Sequence, residues 1–419
     1  MTDHFSLEAG LPSVTSFAIP EEKFFPHNIQ PLNLPQELSD SDVRALAPCV
    51  PVPILRPDAL VKKTKSFIKA FPGDVMYAMK CNPDPIMLKA IHKGGVNRFD
   101  AASISEIRTI SHLFPNAVIY YMHPVKAPEM IREAYVNHGV RAFVLDSFDE
   151  LDKILHVTNQ APDLELFVRI AVPKGNVATD FSSKFGAKPD YAADLIAEAG
   201  KYAARLGVSF HVGTQCTDPE VYSRAIDYAA DVIAKSGAVV SALDVGGGFP
   251  TILDEQNPPP SMTFYGAVIA EAILRNGMAH MQLLCEVGRG LVADAGALIV
   301  RVEGRRGDLL YINDGTYGGM FEAGGAIGLP YPCHLIRKDT REGSEEFKAF
   351  RLAGPTCDSV DMMNGPFMLP ADIAAGDWIR IEKLGAYGEV SRTDFNGFGT
   401  VQKVIVSALK RKNLTKNVA

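Results

Sequence analysis

Residues 74–82, with the sequence DVMYAMKCN, show the pattern that decides the fold. A short apolar run bounded by polar residues predicts a buried β-strand, and Lys80 stands where this strand ends. Seven further runs of this kind follow: RFDAAS (98–103), AVIYYMH (117–123), RAFVLDS (141–147), LELFVRIAV (164–172), VSFHVGTQ (208–215), ALDVGGGFP (242–250) and MQLLCEVGR (281–289). The sequence therefore contains eight candidate strands.

Stretches with helical patterning separate these strands. Examples are PIMLKAIHKGG (85–95), PEMIREAYVNHG (128–139) and PEVYSRAIDYAADVIAKSG (219–237). Strands that alternate with helices pair in parallel through right-handed crossovers. Eight such units over about 240 residues predict a TIM-like (β/α)8 barrel. The alternative is an open doubly wound sheet, which the absence of G-x-G-x-x-G after the first strand disfavours.

The pattern changes after residue 293. Short strands separated by Gly, Asp and Pro turns, such as GALIVRVEG (296–304) and WIRIEKLG (378–385), indicate a C-terminal all-β domain. The proline-rich first 49 residues lack sustained periodicity and are predicted to be an extended leader that adds a strand to this domain. The predicted division is a leader over 1–49, a barrel over 50–293 and a β domain over 294–419.

Composition excludes several classes of protein. Of the 419 residues, 47% are hydrophobic and 22% charged, so the chain is neither disordered nor fibrous. A net charge of -7 disfavours nucleic-acid and polybasic membrane binders. Six cysteines without a C-x-x-C pair suggest free thiols in a reducing compartment, and no segment has the pattern of a signal peptide or a membrane span. A cytoplasmic protein is expected, and no motif has the spacing of a zinc site.

Polar residues and glycines collect at the predicted strand ends. Because the active site of a barrel forms at the carboxyl ends of its strands, we expect these residues to converge. They are Lys80, Asp100, His123, Asp146, Arg169, His211, Gly246, Gly247, Gly248, Glu286 and Arg289.

Three of these features have both a chemical and a plain structural interpretation. Burial lowers the pKa of a lysine, which would make Lys80 a nucleophilic amine, although a solvated barrel-rim lysine is the alternative. The glycines at 246–248 fit a phosphate cradle or merely a tight turn. Glu286 fits the partner of a pyridine nitrogen or an ion-pair partner of Arg289. Together, the three chemical interpretations describe a pyridoxal-phosphate site.

The sequence also resembles a known family. YAMKCN (77–82), FDAASISEI (99–107), FHVGTQC (210–216), DVGGGFP (244–250), CEVGRGLVADAG (285–296), INDGTYG (312–318), GPTCDSVD (354–361), GAYGEV (385–390) and FNGF (395–398) occur in its order. The family is the alanine-racemase-fold (fold type III) pyridoxal-phosphate decarboxylases, and the resemblance is to their ornithine decarboxylase branch, including lysine/ornithine decarboxylases. It implies a homodimer with shared active sites that acts in polyamine biosynthesis.

The resemblance implies a role for each matching residue. Lys80 would bind pyridoxal 5'-phosphate covalently, His211 would stack on its ring, and Glu286 would contact its nitrogen. Cys357 would reprotonate the substrate α-carbon from the other subunit. The polar surround would be Asp100, Glu106 and Arg169; the phosphate would be held by Thr214, Gly246, Gly247, Gly248, Arg289 and Tyr387; and the substrate would be held by Asp358, Tyr317 and the candidate Glu322.

The implied reaction is decarboxylation of L-ornithine to putrescine, and of L-lysine to cadaverine. Alternatives are a diaminopimelate decarboxylase, which usually has Glu where Asp358 stands, a racemase of the same fold, and a regulatory homologue without catalysis. Two departures from the family are visible. Val287 replaces a common proline, and the segment after Tyr317 has no clearly aligned aspartate for the side-chain amine, which leaves Glu322 as the candidate.

Overall fold

Eight parallel strands close into a barrel, as the alternating pattern predicts. The computed structural model describes residues 30–34, 36–173 and 184–407. Each barrel strand pairs with the next along the chain, and the last pairs with the first. The strands are β3 (Asp74–Ala78), β4 (Arg98–Ala101), β5 (Val118–Tyr121), β6 (Ala142–Leu145), β7 (Glu165–Arg169), β8 (Arg205–Ser209), β9 (Ala242–Asp244) and β10 (Gln282–Val287).

The helices between these strands begin at residues suited to that position. Ser103 and Ser147 accept hydrogen bonds from backbone N–H groups of the first turns that follow them, and Pro128 occupies a first-turn position where no N–H is needed. The helices are α1 (Asp40–Leu46), α2 (Pro57–Ala70), α3 (Pro85–Lys93), α4 (Ile104–Leu113), α5 (Pro128–His138), α6 (Phe148–Val157), α7 (Pro189–Ala199), α8 (Glu220–Ser236), α9 (Met262–Arg275) and α10 (Arg289–Val292).

The barrel interior is layered. One buried cluster inside it is apolar: Met76, Tyr120, Met122, Ala142, Val144, Phe167, Ala242 and Leu284. Residues two positions apart on a strand share a face, so Arg169, Asp244 and Glu286 project into the barrel one layer nearer its carboxyl end. Asp100 on β4 lies in register with Ala78 of β3 at the same level. The strand period therefore places a polar layer directly above an apolar one.

In the described part of the chain, nine further strands form the second domain. They are β1 (Leu32–Leu34), β2 (Val52–Leu55), β11 (Gly296–Arg306), β12 (Leu309–Ile312), β13 (Cys333–Ile336), β14 (Phe347–Ala353), β15 (Met362–Pro370), β16 (Trp378–Glu382) and β17 (Val404–Val406). The order of the main path is β1-β17-β2-β11-β12-β14-β15, while β16 joins β11 to β13. A buried apolar cluster that includes Leu298, Ile312 and Phe350 forms the core of this domain.

The structure departs from the sequence prediction near the N-terminus. β2 falls inside the predicted barrel segment 50–293, yet its hydrogen bonds join it to β11 of the second sheet. β1 of the leader pairs with β17, and the leader also contains helix α1, which Ser39 and Asp42 cap reciprocally. Residues 1–29 of the predicted leader and 408–419 of the predicted β domain lie outside the described residues. Among the described helices, none has the length and apolarity that crossing a membrane requires.

Asp294 joins the two domains electrostatically. Its carboxylate accepts hydrogen bonds from Lys63 of α2 at 3.0 Å, from Lys383 after β16 at 2.9 Å and from Thr251 at 2.9 Å. Burial alone would raise the pKa of Asp294, but the two ammonium groups outweigh burial and lower it to about 2. The charged form of Asp294 is therefore favoured by folding.

We predict that Asp294→Asn lowers the free energy of unfolding at pH 7 by about 1 kcal/mol, a value reduced for the solvent screening of a partly exposed group. The stabilising effect of the carboxylate is complete above about pH 4, the unfolded-state pKa, and is lost as pH falls towards 2. Urea denaturation at pH 7 measures the effect of the substitution, and the same experiment at acidic pH measures how the stabilising effect of the carboxylate is lost. Asp308→Asn, which breaks an exposed pair with Arg351, is the control and should not change stability. Equal stability of Asp294→Asn and wild type at pH 7 would contradict this account.

Candidate active site

A cavity of about 340 Å³ opens at the carboxyl end of the barrel. The barrel loops supply most of its wall, and the second domain supplies Phe321, Glu322, Ile327, Tyr387 and Ser391. Most of the predicted barrel-site residues meet here. Those that line the cavity are Lys80, Arg169, His211, Thr214, Gly247, Gly248, Glu286, Arg289, Glu322 and Tyr387.

Lys80 lies on a single helical turn that follows β3 and projects into this cavity, where 43% of its side chain is exposed. Its Nζ donates a hydrogen bond to Asp100 Oδ2 at 3.1 Å. The predicted lowering of its pKa by burial is wrong for this state. Burial does oppose the charge, but Asp100 and Glu286 outweigh burial and raise the pKa of Lys80. Lys80 is therefore an ammonium group here and must lose a proton before it can act as a nucleophile.

Glu286 stands near the end of β10 and faces the cavity. Burial, together with the neighbouring Asp100 and Asp244, raises its pKa well above the ordinary value. The alternative interpretation, an ion pair with Arg289, is wrong, because Arg289 pairs with Glu322. These surroundings therefore favour the protonated form of Glu286, which would give it a proton to donate to a basic ring nitrogen.

The glycines after β9 form a closely packed turn. Gly246 and Gly248 have φ values of +69° and +101°, which residues with a side chain rarely adopt. A Cβ on Gly247 would lie 2.7 Å from the carbonyl oxygen of Glu286 and 2.9 Å from His211 Nε2. The turn therefore has no room for side chains, and its backbone can approach a bound anion.

Arg289 is buried beside this turn. Its Nη2 donates to Glu322 Oε1 at 2.5 Å and to Thr214 Oγ1 at 3.4 Å. Its Nε and Nη1 are buried and have no hydrogen-bond partner among the residues that the structure describes. The ring of Tyr387 lies 5.3 Å from the guanidinium. A buried guanidinium with two unused donors is suited to bind an anion such as phosphate.

His211 lies on the loop after β8, because that strand ends at Ser209 and not within the longer stretch 208–215 that the sequence suggested. Its Nδ1 accepts a hydrogen bond from Gly213 N at 3.0 Å. Burial, reinforced by the charges of Arg169 and Lys80, lowers the pKa of His211 well below its ordinary value. The imidazole is therefore neutral and suited to stack against a flat aromatic ring.

Glu322, the candidate for the substrate's distal amine, is engaged inside the cavity wall. Besides its ion pair with Arg289, its Oε2 accepts a hydrogen bond from the hydroxyl of Tyr331 at 3.0 Å. The side chain is buried. In this structure Glu322 therefore orients Arg289 and presents no free carboxylate to a ligand.

Three predicted residues lie together but apart from the cavity. The hydroxyl of Tyr317 donates to Asp358 Oδ2 at 2.5 Å, and Cys357 is exposed beside Asn396. The ring of Tyr317 packs on Phe395 with centroids 4.7 Å apart. None of the predicted trio lines the cavity that contains Lys80. Within one chain, the predicted site is therefore divided between two places.

Near the cavity, two carboxylates accept hydrogen bonds from the backbone, and a third was not predicted from the sequence. Glu106 caps its own helix start by accepting from Ala102 N at 2.6 Å, and Asp146 accepts from Gly186 N at 2.9 Å. The sequence prediction missed Asp244, a fully buried carboxyl group that affects the pKa of Glu286. Its signal in the sequence is a charged residue that closes an apolar strand two positions before the glycine triplet.

Known proteins with similar sequences include amino-acid decarboxylases and an antizyme inhibitor. The chain is 30% identical over 382 residues to the lysine/ornithine decarboxylase of Selenomonas ruminantium, covering 88% of this chain and 93% of that protein. It is 29% identical to antizyme inhibitor 2 of Xenopus laevis, covering 81% of this chain and 76% of that protein. The sequence comparison alone thus includes both proteins named as decarboxylases and a protein named as an inhibitor of antizyme.

Solved structures give the same fold. The Vibrio vulnificus lysine/ornithine decarboxylase complexed with cadaverine superposes with a TM-score of 0.75 at 29% identity, covering 90% of this chain and 100% of that chain. The Paramecium bursaria Chlorella virus arginine decarboxylase bound to agmatine gives a TM-score of 0.76 at 29% identity, covering 88% and 99%. Similarity therefore extends over both domains.

The residues present fit pyridoxal phosphate. The unused donors of Arg289 and the glycine turn suit its phosphate, and neutral His211 suits the face of its ring. Glu286 can hold a proton at the ring nitrogen, and Lys80 is the amine available to its aldehyde. These groups surround one cavity, so a single cofactor can contact all of them.

We predict that Gly247→Ala weakens pyridoxal-phosphate binding at least about tenfold, because the added Cβ displaces the turn or His211. Absorbance titration of the cofactor-free protein measures the dissociation constant. Gly304→Ala is a matched control, since its Cβ would meet nothing closer than 4.0 Å. Equal affinity of Gly247→Ala and wild type would show that the turn does not contact the cofactor.

A family model agrees with this assignment. Residues 58–293, more than half of the chain, match the pyridoxal-binding domain of pyridoxal-dependent decarboxylases. The matched segment contains Lys80, His211, the glycine turn, Glu286 and Arg289, which are the residues that surround the cavity. This chain therefore belongs to the pyridoxal-phosphate-dependent decarboxylases of fold type III, in their ornithine/lysine branch, and is an enzyme of that class.

Proposed function

We propose that this enzyme decarboxylates a basic L-amino acid, converting L-ornithine to putrescine and L-lysine to cadaverine with release of carbon dioxide. The observation that carries the proposal is the convergence of Lys80, Glu286 and Arg289 on one cavity. Relatives named for activity on ornithine and lysine support the choice of substrate. The arginine decarboxylase of similar fold makes arginine the next candidate.

Each residue around the cavity has its own role in the proposed reaction, which depends on where it lies. The cofactor, when bound, supplies the electron sink for the departing carboxylate's electrons. Asp100 orients the Lys80 ammonium and accepts its hydrogen bond, so Lys80 can exchange protons with a substrate amine. Glu286 would hold a proton at the ring nitrogen, and Arg289 with the glycine turn would hold the phosphate end. His211 excludes water from one face of the ring.

In this proposal, Asp358 binds the distal ammonium group of the substrate. Its hydrogen bond from Tyr317 lowers the pKa of Asp358, so the carboxylate is charged at neutral pH. Glu322 is already paired with Arg289 and Tyr331 and is not available in the same way. Because one carboxylate contacts a flexible side chain, a difference of one methylene between substrates is tolerated at a cost of roughly 1–3 kcal/mol.

The divided site supports a homodimer as part of this proposal. Tyr317, Cys357 and Asp358 lie away from the cavity of their own chain, and a second copy of the chain would bring them to it. The surface around them exposes Val360, Phe395 and Phe398, which are apolar side chains of the kind found at subunit interfaces. In this arrangement Cys357 of one chain delivers a proton to the α-carbon of a substrate in the cavity of the other.

Two other functions are less well supported. A diaminopimelate decarboxylase would need a group for a second amino-acid head, and Asp358 stands where those enzymes usually have Glu. A regulatory homologue is suggested by the similarity to antizyme inhibitor 2. The chain nevertheless retains Lys80, Glu286, Arg289 and Cys357, a set that catalysis requires and that regulation alone does not.

We predict carbon dioxide release from both L-ornithine and L-lysine, with kcat/KM values that differ by about 10- to 200-fold, and slower turnover of arginine and diaminopimelate. Lys80→Ala should lower kcat at least about a thousandfold and abolish borohydride trapping of the cofactor on this residue. Lys93→Ala, which removes an exposed lysine of α3, is the control. Wild-type turnover by Lys80→Ala, or an enzyme that releases no carbon dioxide from either substrate, would refute the proposal.

We also predict that inactive Lys80→Ala and Asp358→Ala proteins regain activity when they are mixed and allowed to exchange subunits. Random exchange places half of the chains in mixed dimers with one intact site each, so recovery should reach about a quarter of wild-type activity. Steady-state assays with time after mixing measure it. Mixing each variant with itself is the control. Failure to recover activity, despite subunit exchange shown by mass spectrometry, would mean that each chain completes its own site.

A further inference from the structure

Asp244 is a buried carboxyl group. Neither the sequence prediction nor the proposed reaction assigns a role to it. It ends β9 and is completely inaccessible to solvent. Its Oδ1 accepts a hydrogen bond from Gly246 N at 2.9 Å. Its Oδ2 is buried without a hydrogen-bond partner among the described residues, and Glu286 on the neighbouring strand is a carboxyl group that interacts with Asp244. A buried oxygen of this kind favours a neighbour that carries a proton.

The register of the barrel forces the two carboxyl groups together. Asp244 pairs with Leu284 across β9 and β10, and Glu286 lies two residues farther along on the same face. Glu286 N also donates to Gly246 O at 2.9 Å, which ties the two strand ends at this level. Their proximity is therefore a consequence of strand pairing, not of a flexible rotamer.

Two ionised carboxylates at this depth would repel each other strongly, because little solvent screens them. Asp100 adds a third acidic group to the layer, and its nearest cation, Lys80, is already hydrogen-bonded to it. Burial raises the pKa of both Asp244 and Glu286. The other titratable or charged groups that face the pair are Lys80, Asp100, Arg169, His211 and Cys285.

We propose that Asp244 is a positioning residue that shares one proton with Glu286 in the cofactor-free enzyme. Glu286 carries the proton and donates it to Asp244 Oδ2, which keeps the Glu286 carboxyl group oriented at the cavity floor. A basic ring nitrogen bound beside Glu286 would take up this proton, and Glu286 would then be the carboxylate that accepts its hydrogen bond. Only the identity of the nitrogen base rests on the proposed function, since the carboxyl pair belongs to the chain itself.

The test is infrared titration of the cofactor-free enzyme. The carbonyl stretching band of protonated Glu286 is assigned by its loss in Glu286→Gln. In Asp244→Asn the repulsion between the two groups is absent, so the midpoint of this band should move to lower pH by about one unit or more. Ser209→Ala is the matched control. Ser209 lies in register with Asp244 on β8, and its Oγ is also buried without a partner among the described residues, but it carries no charge.

A midpoint in folded Asp244→Asn equal to that of wild type would overturn the proposal. So would an equal shift in Ser209→Ala, which would show a general effect of perturbing the layer. Asp244→Ser, which also removes the charge, gives a second result if Asp244→Asn does not fold. It should move the midpoint of the Glu286 band to lower pH in the same way, and an unchanged midpoint in folded Asp244→Ser would overturn the proposal as well. Because no cofactor or substrate is present, a failure of the proposed decarboxylation would leave these outcomes unaffected.

Discussion

The closed register of the parallel barrel is the constraint on which the site depends. Because each strand is hydrogen-bonded to its neighbours at fixed positions, the side chains one step above the apolar interior must share a single layer. Three acidic groups, Asp100, Asp244 and Glu286, share it with Arg169, and Lys80 reaches it from above. Their charges cannot be separated by local movement, so each protonation state depends on the others. The protonation states of Lys80 and Glu286 are therefore determined by all the charged groups of this layer together.

The second domain completes the cavity through a few strong polar contacts. Glu322 extends from it to orient Arg289, and Tyr387 packs against the same guanidinium. Arg392, almost fully buried, binds both carboxylate oxygens of Asp314, at 3.1 and 2.7 Å. This pair links the segment of Tyr387, which faces the cavity, to the segment of Tyr317, which faces outward. The second domain therefore fixes both halves of the divided site with one hydrogen-bonded framework.

The sequence predicted the barrel and most of the cavity because both follow from strand periodicity. It predicted Lys80, Glu286 and the glycine turn at one end for the same reason. The predicted lowering of the Lys80 pKa was wrong. A sequence pattern indicates that a lysine is buried, but it does not show that Asp100 of the neighbouring strand lies within hydrogen-bond distance of its Nζ. β2 was placed with the barrel because its partner, β11, lies far along the chain. Asp244 was missed because its importance comes from a neighbour on another strand.

In the proposed function, the division of the site also separates the contacts to the cofactor from the recognition of the substrate's distal amine. The groups that would hold the cofactor lie at the barrel strand ends or directly after them, next to a layer in which a change at one carboxyl group alters the protonation of the next. Asp358 and Cys357 lie on loops at the surface of the second domain, with hydrogen bonds to Tyr317 and Asn396, and neither is among the residues that line the cavity. A substitution on these loops can therefore change contacts to the distal end of a substrate without disturbing the protons of Lys80 and Glu286. In the proposed function, such independence would let the preference for a substrate change while the protonation of the barrel layer stays the same.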